Sequence, residues 1–166
     1  VLIRSKALDE VGGFDESLQA CEDWDMWIRL ASRYHFVCVP SPQIFYRVYT
    51  SSMSGDVWKM ESTSLQLIKK AFTHAPIPLK YLQKESLGNR YKYLTFKAVE
   101  HPLEKKKGLA AIRFLSLAIK YDPRFILKTK VLSLVIFKIM VILLLPTQSA
   151  HYFITQAKMS YKKQMS

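Results

Sequence analysis

Cysteine is scarce in this 166-residue chain: Cys21 and Cys38 are the only two, with no Cys-x-x-Cys and no Cys/His cluster. These absences exclude a disulfide framework and a zinc site of the usual spacing, and they predict buried free thiols in a reducing compartment. The sequence opens on Val1 rather than an initiator Met, and "VLIRSKALDEVGGF" reads as neither a signal nor a transit peptide; this opening predicts a fragment whose N-terminal half is absent. Acidic side chains are outnumbered, 13 against 25 basic ones. The shortage is local: residues 1–56 hold eight Asp/Glu and five Lys/Arg, whereas residues 57–166 hold five and twenty. This asymmetry predicts two segments with different partners. A long, charge-free apolar run is also missing. The most apolar stretch, Val131 to Pro146, would span only ~22 Å as a helix before its proline, against a hydrocarbon core of ~30 Å. Lys138 interrupts it, so a helix lying in or dipping into a membrane surface is expected rather than a full span, with a buried core helix as the rival.

The remaining punctuation divides the chain. "VLIR", "FVCVP" and "IFYRVY" read as short strands, the second stopped by Pro40 and Pro42. "SKALDEV" reads as a short helix with Ser5 as N-cap and Gly12 or Gly13 at its end. From Trp24 to about Tyr34, the series Trp24, Trp27, Ile28, Ala31 has helical spacing, and Asp25 can pair with Arg29 one turn on. After the polar loop "TSSMSGD" the pattern is helical throughout: residues 57–72, then a hairpin of 80–100 and 104–121 broken near His101-Pro102 and closed by "YDP".

The stretch "QACEDWDMWIRLA", residues 19–31, crowds Glu22, Asp23 and Asp25 at a helix start. Acidic residues there satisfy orphan N–H groups and complement the dipole, which is sufficient reason for such a pair without any chemistry. A helix start equally favours the charged form of a carboxylate, which a general base requires. Spacing alone does not separate the two.

Three elements in order bear on the choice: "R-x-x-x-L-x-x-V-G-G-F-D-E", then "E-D-W-D-x-W-x-R-L" beginning at Glu22, then "Y-R-V" and "S-M-S". Together, over residues 1–54, they resemble the C-terminal half of the catalytic domain of family 2 glycosyltransferases, which have the GT-A fold. The resemblance implies an α/β fold for residues 1–56, followed by an all-α tail. It implies transfer of a sugar from a nucleotide-sugar to an acceptor hydroxyl of a glycan, polysaccharide or lipid-linked sugar, with inversion at the anomeric carbon. Asp23 would be the base that deprotonates the acceptor, and Glu22 would orient the loop or bind acceptor hydroxyls. Gly12 and Gly13 would form a turn bringing backbone and Phe14 near the acceptor. Trp24 would supply a sugar face or a core contact, while Trp27 reads as core. Arg47 would lie near the diphosphate.

A divalent ion, Mg or Mn, is implied for the complete enzyme. The family's Asp-x-Asp metal motif and its nucleotide-binding strands would lie upstream of Val1, so the main metal site falls outside this chain. Tyr49 stands where family members often carry a His, and a phenol is a poor ligand for such an ion at neutral pH.

The expected organisation is therefore residues 1–56 as the transferase part, 57–124 as a helical extension and 125–166 as an apolar, basic membrane-associating helix and tail. The fragment is expected to lack activity by itself and to sit in the cytoplasm, peripheral to the inner face of an anionic membrane. The rival is a non-enzymatic helical membrane-surface or scaffold module in which the acidic pair is only a cap. Nucleic acid is not expected as a partner, because the lysines are dispersed among apolar residues and "EKKK" at 104–107 is the one tight run.

Overall fold

A computed structural model describes residues 1–45, 56–100, 103–150 and 152–154. The α-helices among them include α1 (Ser5–Val11), α2 (Glu22–Ala31), α3 (Val57–His74), α4 (Leu82–Ala98), α5 (Lys105–Tyr121) and α6 (Thr129–Leu144), and residues 147–150 and 152–154 are helical as well. Short 3₁₀ turns occur at Ile77–Leu79 and Pro123–Leu127. The chain forms two compact units, Val1–Lys80 and Tyr81–Ser166.

The α/β expectation is corrected: no strand occurs among the described residues, which are all-α. "VLIR" and "FVCVP" are without regular structure, and Val1, Leu2 and Val37 are exposed. A strand exists only through ladder hydrogen bonds to a neighbour, and no described segment supplies one, so β-rich residues stay unpaired. In "IFYRVY", Ile44 and Phe45 are likewise irregular, and residues 46–49 lie outside the described residues.

In the first unit, α1 packs on α2 through Ala7, Met26 and Leu30, joined by Ile3, Leu8, Val11, Trp27 and Tyr34. Trp27 is thus a core contact, as its spacing predicts. The helix α1 is capped by Arg4, one residue before the expected Ser5, and ends at Gly12, whose N–H donates to the Leu8 carbonyl at 2.9 Å. Asp56 caps α3, its carboxylate accepting from the N–H groups of Trp58 and Lys59 at 3.1 and 3.0 Å. Pro76 and Pro78 follow the end of α3 at His74.

In the second unit, α4 and α5 form the expected antiparallel hairpin. Tyr91 stacks on Tyr121 with centroids 5.7 Å apart and tilts against Phe114 at 6.2 Å. A Cβ on Gly88 would meet that of Asp122 at 3.3 Å, so the residue lets the end of α5 approach α4. Lys92 locks the same end by an ion pair to Asp122 at 2.6 Å, which holds the Asp122 carboxyl below the usual range. The helix α6 buries Val135, Ile139, Val141 and Ile142. Near its end, a Cβ on Gly108 of α5 would meet Ile142 and Leu143 at 3.0 Å. No helix among the described residues is long and apolar enough to cross a membrane.

Candidate functional site

The glycine turn and α2 are held together by one side chain. Arg29 donates from Nε to Asp25 Oδ2 at 2.7 Å, the predicted one-turn pair. Its other nitrogens reach three successive carbonyls at the end of α1: Nη1 to Val11 at 2.6 Å and Gly12 at 3.3 Å, and Nη2 to Gly13 at 2.7 Å. Arg33 adds the Glu10 carbonyl at 2.9 Å, and the Tyr34 hydroxyl donates to the Glu10 carboxylate, which raises the Tyr34 phenol. A helix C-terminus presents unpaired carbonyls and a partial negative charge, and guanidinium groups with a fixed fork of donors satisfy both.

Asp25 anchors this clamp. Only 3% of it is exposed, and its second oxygen, Oδ1, is ion-paired to Lys70 Nζ of α3 at 2.7 Å. Lys70 also binds Asp15 Oδ2 at 2.6 Å, and the other Asp15 oxygen accepts from the Ser17 amide at 3.0 Å and hydroxyl at 2.6 Å. The Lys70 ammonium, followed by the Ser17 donors, holds the Asp15 carboxyl far below its ordinary range, while Asp15 and then Asp25 raise Lys70. The network Asp15–Lys70–Asp25–Arg29 therefore ties the loop after the glycines to α2 and α3.

Of the sequence-predicted residues, Asp23 sits in the first turn of α2 with an exposed side chain, its Oδ1 accepting from the Trp24 N–H at 2.8 Å. Glu22 is half-buried beside it. Trp24 is 44% exposed and Phe14 59%, so both present apolar surface to solvent. Gly12 has φ +81° and ψ 170°, a conformation confined to glycine, whereas Gly13 has nothing within 4 Å of where a Cβ would stand. The turn thus needs Gly12 for its backbone and leaves open ground at Gly13. Cys21, the residue before Glu22, has φ +62° and is the one described non-glycine residue with positive φ. Cys38 is exposed and Cys21 half-buried, so neither thiol is fully buried as the composition predicts. Arg47 and Tyr49 lie outside the described residues.

Among the described residues no group of three or more His, Cys, Asp or Glu is placed to hold a metal ion. Asp23 and Asp25 have Asp-x-Asp spacing, but both oxygens of Asp25 are already ion-paired, to Arg29 and Lys70. These residues do not fit a divalent ion.

Lys70, the pairing of the motif residue Asp15 with it, and the carbonyl grip of Arg29 were not legible in the motifs. A usable signal was the acidic excess of residues 1–56, which calls for a cation from the basic residues beyond.

Residues 1–98 match a sugar-transferring enzyme family, which makes the chain a glycosyltransferase in the general sense. The chain belongs to that family, described as glycosyltransferase like family 2, and the recognition from its three motifs stands. No curated relative and no solved structure matches the chain.

Proposed function

We propose that residues 1–80 are the acceptor side of an inverting transferase, with Asp23 as the general base. The observation that supports this reading is the exposed Asp23 carboxylate in the first turn of α2, the helix whose Arg29 grips the glycine turn. Asp23 takes the proton of an acceptor hydroxyl; that oxygen bonds to the anomeric carbon as the bond to the nucleoside diphosphate breaks. One carboxylate within hydrogen-bond reach of the acceptor, opposite the leaving group, suffices for this step. Trp24 and Phe14 offer exposed aromatic faces for an acceptor glycan, and Gly13 leaves room for it to approach the backbone. Arg47 is the proposed contact to the donor diphosphate, no cluster among the described residues would hold a divalent ion, and transfer by this chain alone is not expected.

The Trp24 N–H bonded to Asp23 favours a second reading, in which the acidic pair only caps α2 and the chain is a non-enzymatic helical module. The test is transfer from a panel of nucleotide-sugars to simple glycan and lipid-linked acceptors by the whole polypeptide that the source gene encodes, with the first-formed product read by NMR. A product of inverted anomeric configuration is expected. Retention of configuration, or no transfer with any donor, contradicts the proposal.

A further inference from the structure

The apolar helix α6 leaves much of one side exposed. Val135, Ile139 and Ile142 lie on the buried side, and Val141 is buried as well. Ile136, Phe137, Met140 and Leu144 recur at three- and four-residue spacing on the other side and are all exposed. At one end this apolar strip continues into the 3₁₀ turn, where Ile126 and Leu127 are exposed, the latter at 78%. Beyond Pro146, Tyr152 and Phe153 are exposed as well. An exposed apolar strip of this kind marks an interaction surface.

Charge says what covers it. From Pro123 to Ala150 the sequence contains no acidic residue. Arg124, Lys128 and Lys130 are exposed where α6 begins. Exposed apolar side chains flanked by cations match the layering of an anionic bilayer surface: hydrocarbon beneath, phosphate head groups at the rim. The 16 residues of α6 span ~24 Å as a helix, suited to lying in the surface rather than crossing it.

We infer that the exposed face of α6 docks on an anionic lipid surface, with Phe137 and Met140 entering the acyl boundary and Lys128 and Lys130 on the head groups. The inference is independent of the transfer chemistry, and its test requires no sugar. Flotation of the 166-residue chain with phosphatidylcholine vesicles, with and without phosphatidylglycerol, reads binding directly. The chain is expected to float with the anionic vesicles, less so at high salt. Phe137→Glu with Met140→Glu should weaken this more than ~10-fold, since two apolar side chains no longer leave water.

Lys128→Gln with Lys130→Gln changes exposed side chains outside the core and should weaken binding at least ~10-fold at low salt, at roughly five-fold per cation. This second pair keeps the test decisive if the first disturbs folding, which circular dichroism reports. Three outcomes overturn the inference: no uptake by the parent chain, uptake unchanged in both double variants, or a solution dimer that Phe137→Glu dissociates without any vesicle binding. The last would assign the face to a second copy of the chain.

Discussion

Gly12 and Gly13 are neighbours with different reasons to be glycine. At φ +81° Gly12 occupies backbone space that a Cβ penalises, so Gly12→Ala should lower stability by about 1–2 kcal/mol, measured by denaturant titration. Gly13→Ala should leave stability unchanged and, if the acceptor approaches there, slow transfer. Two glycines in sequence do not disclose this division, because both satisfy a helix stop on paper. Asp25–Arg29 was legible, being a contact one helical turn long. Lys70 was not, because its partner Asp15 lies 55 residues away and side-chain periodicity carries no information at that range.

Acidification provides the check on Lys70. A carboxyl whose folded value is depressed stabilises the fold fully above its unfolded value of 3.8, and the contribution fades as pH falls below that toward the folded value. Lys70, raised above 10.5, contributes fully below that value and loses its contribution as pH rises through the folded one. Lys70→Met should therefore be less stable than the parent at neutral pH, with the difference shrinking below pH 3.8. A pH series of urea melts reads it; a constant difference down to the acid limit contradicts the network.

The helices were legible and the strands were not, for a physical reason. A helix closes its hydrogen bonds within the segment, so spacing and end signals determine it. Asp56 before α3 and the prolines after it are such signals, and they bound the element within two residues of its expected end. "FVCVP" alternates as a strand does, but pairing depends on a partner elsewhere that its own residues do not encode. The start of α2 carries a local cost that spacing also hides: Cys21 in left-handed backbone costs about 1 kcal/mol. Cys21→Gly should raise the melting temperature of the chain, and a fall would show that the half-buried thiol contributes more than the backbone strain removes. In the second unit, Gly108→Leu should wedge α5 from α6 and destabilise it by about 1–3 kcal/mol, read by hydrogen exchange along α6.

Across the whole chain, the charge asymmetry predicted separate partners for the two segments. Part of it is instead settled internally, since Lys70 from the basic side neutralises Asp15 and Asp25 of the acidic side. The family match to residue 98 likewise runs beyond the motif-bearing residues, through α3 and α4. The candidate site was therefore legible as a set of motifs, but not as the clamp that supports them. The central claim concerns Asp23, whose exposed carboxylate serves either chemistry or the end of a helix. Asp23→Asn keeps a side-chain oxygen for the Trp24 N–H while removing the base. The decisive measurement is single-turnover transfer by the Asp23→Asn variant of the whole encoded polypeptide, beside donor affinity and melting temperature. A loss of roughly 10²–10⁴-fold in rate with donor affinity and stability retained is the predicted result. Transfer at the parent rate would contradict the assignment and leave Asp23 as a helix cap.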